Sequence, residues 1–378
     1  MKILVIGCGL SGAVLAERFA SRGHKVDILE KRDHIGGNCF DYVDDNGILV
    51  NKYGAHLFHT NEDKVIDYIT RFSEWVPYEH KVVGNVDNTL VPIPVNINTV
   101  NSLFPEEIQI SNEEDMTAWL QNETKNCNVS NSNSGRPANG EQAALNRVGQ
   151  RLYEKIFYHY TKKQWDKYPI ELDGSVLERI PVRTNFDDRY FTDKYQALPK
   201  RGYTKFFETL LESSNITIQL NCKDDLFFTK LNDYDLVFYT GPIDHYFHNS
   251  GYPKLEYRSI NFESETIDTP NGSTFQSNSV VNYPGYDVPF TRIVEYKHFL
   301  NQVSDKSTIV REYSTDEGEP YYPVPNQANR DLYESYKALA DKIDNVHFVG
   351  RLANYKYFNM DQAILNALDI FENIIKNV

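Results

Sequence analysis

The glycine-rich turn near the start of the chain constrains the fold most, because its neighbours specify one kind of unit. The apolar run Ile3–Ile6 is typical of a parallel strand buried on both faces. The turn Gly7–Gly12 follows with a GxGxxG pattern, and then come the expected helix Ala13–Ser21 and the expected strand Lys25–Leu29. An acid, Glu30, ends that strand. This order predicts a dinucleotide-binding βαβ unit.

Each glycine of the turn has a task in holding a pyrophosphate. Gly7 allows the tight turn, Gly9 lets the pyrophosphate approach the backbone, and Gly12 lets helix and strand pack closely. The helix N-terminus adds N–H donors, and Glu30 would accept hydrogen bonds from an adenosine ribose. A glycine-rich turn in an empty α/β domain is the alternative, and this context makes it much the weaker one.

Two further features favour FAD over NAD. The pair Gly36-Gly37, followed by Asn38, is typical of FAD proteins in which the chain passes the pyrophosphate again. Near the other end, the expected strand Val346–Val349, the turn Gly350-Arg351 and the helical run Ala363–Ile375 form a unit of the kind that closes a flavin site. Together these features resemble the glutathione-reductase-like flavoproteins and imply an FAD domain built from both ends of the chain. An ordinary Gly-Gly turn and an ordinary βα unit are the alternatives.

Charge and cysteine usage exclude several classes of protein. Among 378 residues, 39 Lys and Arg stand against 53 Asp and Glu, and no basic run exceeds two residues. A nucleic-acid binder needs a basic stripe, and an anionic membrane would repel this chain. Glu17 and Arg18 end the apolar start too early for a signal peptide, so we expect a cytoplasmic protein. No metal site or disulfide framework is expected from the cysteines, which lack CxxC spacing: Cys8, Cys39, Cys127 and Cys222.

The middle of the chain carries aromatic and basic motifs. His56 and His59 lack a third metal ligand, so we place a neutral histidine beside an isoalloxazine ring; a satisfied core histidine is an equal alternative. A helix is expected over Gln142–Tyr160, after a surface loop at Asn126–Gly140. Aromatics and donors alternate over Phe157–Trp165, which suits stacking on uracil, although a helix end packed on the core is equally compatible. Arginines on later segments would give bidentate contacts to phosphate.

Five segments in this order resemble the bacterial-type UDP-galactopyranose mutase family, and the resemblance covers nearly the whole chain. It implies an α/β fold in which a discontinuous Rossmann-like FAD-binding domain is joined to a helical-bundle domain and a six-stranded antiparallel β-sheet domain. The five segments are Gly54–Thr60, Tyr160–Trp165, Ile180–Arg183, Thr291–Lys297 and Gly350–Leu352. The expected division is 1–80, 201–245 and 326–378 for the FAD domain, 101–175 for the uridine-binding helical domain, and 81–100, 176–200 and 246–325 for the sheet.

The family's activity is the interconversion of UDP-galactopyranose and UDP-galactofuranose without net redox change. In that chemistry, N5 of the reduced flavin bonds to the anomeric carbon while UDP departs, and arginine and tyrosine donors stabilise the leaving group. The resemblance therefore implies FAD that is active when reduced, a UDP-sugar substrate, and NAD(P)H or another reductant. It leaves a homodimer open.

Residue roles also follow from the resemblance. Arg183 and Arg292 would grip the diphosphate, and His56 would lie beside the flavin; these three are the expected catalytic residues. The expected substrate-binding residues are Phe157, Tyr160, Trp165, Arg183, Tyr195, Arg292, Tyr322 and Tyr357. The expected cofactor-binding residues are Gly7, Gly9, Leu10, Ser11, Gly12, Glu30, Lys31, Gly37, Asn38, His56, His59, Arg351 and Met360.

Three residues depart from the family pattern. His159 and Asp166 stand where glycines flank the aromatic motif, and Asn359 stands where Asp is common. They leave the sugar open among UDP-galactose, its N-acetylamino analogue and a pentose such as UDP-arabinose. Two other functions also stay open: an FAD-dependent amine oxidase or desaturase, and a UDP-binding protein without activity.

Overall fold

The computed structural model describes residues 1–127, 137–229 and 231–376, without the side chains of residues 224 and 225. Most of the surface loop expected at 126–140 therefore lies outside the described residues. The strands are β1 (Lys2–Ile6), β2 (Lys25–Leu29), β3 (Asp41–Val43), β4 (Leu49–Asn51), β5 (Phe58–Thr60), β6 (Trp75–Pro77), β7 (Val82–Val86), β8 (Thr89–Ile93), β9 (Tyr195–Pro199), β10 (Ile216–Gln219), β11 (Leu236–Tyr239), β12 (Tyr257–Asp268), β13 (Val280–Asn282), β14 (Arg292–Glu295), β15 (Lys306–Thr315), β16 (Tyr322–Pro323) and β17 (Val346–Phe348).

The described residues contain twelve α-helices. They are α1 (Leu10–Ala20), α2 (Asp63–Ile69), α3 (Ile97–Leu103), α4 (Glu113–Thr124), α5 (Gly140–Leu152), α6 (His159–Trp165), α7 (Gly174–Glu178), α8 (Tyr203–Leu210), α9 (Asp224–Thr229), α10 (Ile243–Tyr246), α11 (Gln327–Ala340) and α12 (Met360–Ile375). Within the described ranges, every helix is too short or too polar to span a bilayer.

A parallel sheet is built from both ends of the chain, as the sequence predicts. Its strand order is β10-β2-β1-β11-β17, and β1 pairs in parallel with both β2 and β11. The apolar run of β1 is buried because helices cover the sheet: Phe19 of α1 meets Phe371 of α12 edge-to-face at 5.0 Å. The Rossmann-like expectation is confirmed, and the strand order changes direction beside the glycine-rich turn, where such sheets bind ligands.

The second sheet differs from the expected six antiparallel strands. It has seven, in the order β16-β12-β15-β14-β13-β7-β8, and β7 pairs with β13 in parallel. The hairpin β7–β8 comes from early in the chain, whereas the other five strands of this sheet come from later segments. It joins the edge of the sheet through β7, which is parallel to β13. Strand β9, within the segment expected to join this sheet, instead pairs with β5 and β6 in a separate sheet. The division into domains stays a prediction.

The single helix expected over Gln142–Tyr160 is wrong. The chain forms α5, then a π-helical turn at Tyr153–Tyr158, then α6. Gly149 interrupts α5 with a φ of +74° and a ψ of 176°, a conformation that no helix contains. Helix α6 contacts the second sheet, where Ser314 of β15 donates to the carbonyl oxygen of Gln164. π-Helical turns are frequent at functional sites.

Candidate active site

A cavity of about 850 Å³ lies at the carboxyl ends of β1, β2 and β11. Its volume falls within the range of cofactor pockets. Both glycine motifs and the late turn at Gly350 contribute to its wall, so segments far apart in sequence meet there. Of the expected cofactor-binding residues, those on the wall are Gly7, Gly9, Leu10, Ser11, Glu30, Lys31, Gly37, Asn38, His56, Arg351 and Met360.

The glycine motifs beside the cavity have no room for side chains. A Cβ atom on Gly12 would lie 2.0 Å from the carbonyl oxygen of Gly7, and one on Gly37 would lie 2.8 Å from the Cα atom of Gly9. Gly12 thus serves the packing of α1 on β1 and does not itself line the cavity. The bare backbone at the N-terminus of α1 suits an anionic pyrophosphate.

Glu30 is fixed by backbone donors at the edge of the cavity. Its Oε2 accepts from the N–H of Cys8 at 2.7 Å, and its Oε1 accepts from the N–H of Arg32 at 2.9 Å. Each carboxylate oxygen has a second lone pair, so the buried group can still accept from a ribose hydroxyl. Lys31 turns outward and pairs with Glu319 at 2.7 Å.

His56 and His59 have different surroundings. Burial, followed by the charges of Arg351 and Arg292, lowers the pKa of His56 to about 4, although its bond to the Gly54 carbonyl opposes the shift. His56 is therefore a neutral imidazole on the cavity wall. His59 does not line the cavity: it stacks on Phe191 at 3.6 Å, and its Nδ1 lies 3.0 Å from Asp193. Its side chain leaves β5 on the face opposite to Phe58.

An arginine–tyrosine cluster adjoins the cavity through Arg351. The rings of Tyr322 and Tyr357 stack with centroids 5.1 Å apart, and the guanidinium of Arg351 lies 5.6 and 5.3 Å from those centroids. Trp165, at the end of α6, lies 6.5 Å from both rings. These four residues come from three distant segments, so the fold brings them together as expected.

Arg292 joins this cluster from β14. Its Nε donates to Oε2 of Glu312 at 2.6 Å, and Glu312 is 2 % exposed whereas Arg292 keeps 28 %. Burial alone would lower the pKa of Arg292, but Glu312, Tyr160 and Tyr322 hold it well above its usual value. Arg292 is thus a permanent cation. Among the described residues, the carboxylate of Glu312 accepts a hydrogen bond only from Nε of Arg292. The two terminal nitrogens of Arg292 therefore remain available to a ligand.

Arg183 is not available to a diphosphate, contrary to expectation. The residue is 9 % exposed, and its guanidinium donates to the carbonyl oxygens of Asp187, Arg189 and Tyr190. These bonds fold the loop that precedes β9. Arg183 therefore holds backbone in place, because three of its five N–H donors go to carbonyl groups of this loop.

Arg179, four residues earlier, occupies the cluster instead. Its guanidinium lies 4.3 Å from the ring centroid of Tyr357. Burial would raise the pKa of Tyr357, but Arg179, Arg351 and Arg292 lower it below its usual value. The sequence contains two arginines around one proline, at 179 and 183. Nothing in the local pattern says which of them joins the cluster, whose open side is called the cleft below.

Tyr195 is also misplaced by the sequence prediction. It begins β9 at the surface, where its hydroxyl donates to Asp63 at 2.7 Å. Tyr190 takes its place in the cluster, since it acts electrostatically on both Tyr160 and Arg179. The N–H of Tyr190 donates to the His80 carbonyl at 2.6 Å. Tyr190 and Tyr195 lie five residues apart in a segment without periodicity, so the sequence alone does not show which of them joins the cluster.

Phe157, Tyr160 and Asn282 lie on the elements next to this cluster, namely the π-helical turn, α6 and β13. Phe157 is buried in the π-helical turn and packs in the hydrophobic core beneath α6. Tyr160 lies one turn from it, and burial raises the pKa of Tyr160 while Arg292 opposes the shift. Asn282, opposite Arg292 in the strand pairing, has a buried Oδ1 without a hydrogen-bond partner among the described residues. A ligand with an N–H or O–H donor would satisfy this oxygen.

Comparison with known proteins gives the same picture. The sequence model of a family described as UDP-galactopyranose mutase matches residues 155–357, and one described as an NAD(P)-binding Rossmann-like domain matches residues 5–72. A probable UDP-galactopyranose mutase of Klebsiella pneumoniae is 37 % identical over 381 residues, covering 100 % of this chain and 95 % of the relative. A dTDP-fucopyranose mutase of Escherichia coli is 35 % identical over 387 residues, covering 100 % and 99 %.

The structural comparison agrees at the level of the fold. A crystal structure of reduced UDP-galactopyranose mutase superposes with a TM-score of 0.77 at 17 % identity, covering 100 % of this chain and 96 % of that one. A zeta-carotene desaturase of Capsicum annuum, by contrast, matches only 58 residues, or 15 % of this chain. The match that supports the desaturase alternative is thus short and partial.

Proposed function

Because the chain belongs to the UDP-galactopyranose mutase family, we propose that it interconverts UDP-galactopyranose and UDP-galactofuranose, or a closely related pair of nucleotide sugars, with reduced FAD. The observation that carries the proposal is the convergence of Arg179, Arg292, Tyr322 and Tyr357 on one cleft beside the dinucleotide cavity. Two guanidinium groups and two phenols suit a diphosphate better than the apolar substrates of desaturases.

The cavity residues fit FAD in size and chemistry. The bare glycine motifs and the N-terminus of α1 would take the pyrophosphate, and Glu30 would take the adenosine ribose. His56 and Arg351 would lie at the flavin end, where the cavity adjoins the tyrosines. Reduced flavin would supply a nucleophilic nitrogen for the anomeric carbon.

The protein's own contribution is to hold the diphosphate as its charge grows. Arg292, oriented through its Nε by Glu312, and Arg179, held against Tyr357, offer fixed cations on two sides of the cleft. A fixed donor that faces developing negative charge lowers the barrier without reorganising. The lowered pKa of Tyr357 makes its hydroxyl a stronger hydrogen-bond donor to the same oxygens.

The nucleoside end would be read by α6 and β13. Tyr160 would stack on the pyrimidine, Trp165 would lie near the sugar, and Asn282 would accept a hydrogen bond through its unpartnered Oδ1. Uracil and thymine share the same N3–H donor. The nucleotide is therefore best tested with both UDP- and dTDP-sugars, since relatives named for each are about equally similar.

The decisive experiment treats the dithionite-reduced protein with UDP-galactopyranose, its N-acetylamino analogue, UDP-arabinose and dTDP-fucopyranose, and separates the products by chromatography. We expect one of them to yield a furanose isomer with the reduced protein and none with the oxidised protein. Equal rates in both redox states would contradict the flavin chemistry. Hydrogen peroxide release without isomerisation would favour an oxidase, and UDP binding without any turnover would favour a binding protein that has lost activity.

We further propose NAD(P)H as the source of electrons and a homodimer as the assembly. Bleaching of the flavin absorbance by NADH or NADPH under anaerobic conditions tests the first, and light scattering of the purified protein tests the second. A cytoplasmic location follows from the same proposal, because UDP-sugars and NAD(P)H are cytoplasmic metabolites.

A further inference from the structure

Lys163 lies on α6 between the two residues proposed to hold the nucleoside and the sugar, and it faces the second sheet. Its Nζ donates to three carbonyl oxygens, those of Tyr283, Val288 at 3.3 Å and Phe290 at 3.0 Å. An ammonium group has three protons to donate, so every donor is used. Among the described residues, no carboxylate forms an ion pair with Lys163.

The three carbonyl groups belong to one segment, residues 283–290, which links β13 to β14. Asn282 ends β13 immediately before this segment, and Arg292 begins β14 just after it. A second contact joins the same two elements, because the ring of His159 at the start of α6 lies 3.7 Å from the ring of Tyr286. Lys163 therefore connects α6 to both ends of the loop that precedes Arg292.

This arrangement has a desolvation cost. Partial burial lowers the pKa of Lys163 to about 8, and the charge of Asp287 opposes the shift. A partly buried cation whose donors go to carbonyl groups therefore joins the two elements at a cost in solvation. A nucleoside diphosphate must reach from Tyr160 to Arg292, however, and a displacement of about 1 Å in such a site costs about a hundredfold in rate.

We propose that Lys163 is a positioning residue that sets the separation between the nucleobase platform on α6 and the diphosphate-binding Arg292 on β14. It makes no contact with substrate in this role; it acts through the backbone of residues 283–290. The inference rests on the proposed function, because it requires one ligand to engage both sites at once.

The test compares UMP with UDP, since only UDP carries the second phosphate. Affinities are measured for the holoprotein by isothermal titration or by the change in flavin absorbance. In Lys163→Met, which keeps the aliphatic stem and removes all three donors, we expect the preference for UDP over UMP to fall about tenfold, the size of a typical coupling between neighbouring groups. The affinity for UMP should change much less.

The chain offers a matched control in Lys297. This lysine is 2 % exposed, and like Lys163 it uses three donors. It donates to Thr269 Oγ1 at 2.9 Å, to the Ser273 carbonyl at 2.7 Å and to the Ser304 carbonyl, outside the proposed site. Lys297→Met should lower the melting temperature and leave the UDP-to-UMP preference as in the wild type. A purely structural role for Lys163 predicts the same result for both variants.

Four outcomes separate the possibilities. If Lys163→Met keeps the wild-type preference for UDP over UMP, the inference is overturned. It is also overturned if the losses of UDP-binding free energy in Lys163→Met and Arg292→Ala add strictly in the double variant. Should Lys163→Met fail to fold, Lys163→Gln is used instead, because its two donors on a shorter stem cannot reach all three carbonyl groups. An unchanged preference in that variant overturns the inference equally. If the wild-type protein binds neither UDP nor UMP, the proposed function itself fails, which is distinguishable from a failure of the role of Lys163.

Discussion

Replacement of Arg179 by alanine removes a guanidinium that the fold holds in the cleft, 4.3 Å from the ring centroid of Tyr357. Loss of one partner of a desolvated charge pair costs about 2–5 kcal/mol, which corresponds to about 30-fold to 5000-fold in rate. Arg292 remains and shares the diphosphate, so we expect kcat/KM to fall about 100-fold, toward the lower end of this range. Arg179→Lys should recover part of the loss, because lysine keeps the charge without the planar fork.

The matched variant is Arg183→Ala. Its three bonds to the carbonyl oxygens of Asp187, Arg189 and Tyr190 stabilise a loop, so its loss should lower the free energy of unfolding by about 3 kcal/mol. Activity per folded molecule should fall less than in Arg179→Ala. The assays are urea denaturation and turnover of the reduced enzyme. The reasoning is refuted if Arg179→Ala stays within threefold of the wild type while Arg183→Ala loses about 100-fold at unchanged stability.

Three further predictions address the other arginine, the acid stability and the first glycine motif. Arg292→Ala should retain FAD by absorbance and lose turnover by the equivalent of about 2–5 kcal/mol; near-normal activity would remove Arg292 from the site. Burial lowers the pKa of His80 to about 3, helped by Arg292, so the unfolded chain binds more protons below pH 6.5. The free energy of unfolding should therefore fall as the pH drops from about 6.5 toward 3, by up to about 1.4 kcal/mol per pH unit for this histidine, and His80→Gln should flatten that slope in urea titrations at pH 7 to 4. Gly12→Ala places a Cβ 2.0 Å from the Gly7 carbonyl oxygen, so the purified variant should have lost its flavin absorbance; a fully yellow variant would contradict the packing argument.

The sequence was sufficient where the signal is local and repeated. The strand, GxGxxG turn and helix at the start follow from buried apolar residues and glycines whose tasks are set by adjacent backbone. The late strand at 346 and the helix after it are likewise local patterns, and both form as expected. Most of the expected cofactor-binding residues therefore line the cavity.

The errors fall where direction depends on distant partners. Arg179 and Arg183 flank one proline in an irregular segment, and only the carbonyl groups of the loop at 187–190 decide that Arg183 turns inward. For the same reason, the sequence does not show that Tyr190, and not Tyr195, joins the arginine–tyrosine cluster. The parallel pairing of β7 with β13 joins residues about two hundred positions apart, and no pattern within either strand specifies it.

The parallel sheet closes only when its last strand is added, and this affects how the protein is made. Strand β17 and the wall residues from Gly350 to Met360 leave the ribosome after the other four strands of this sheet. A nascent chain stalled before residue 346 would lack one side of the pocket. If FAD binds as proposed, that chain should be colourless, and uptake of FAD would follow the synthesis of β17.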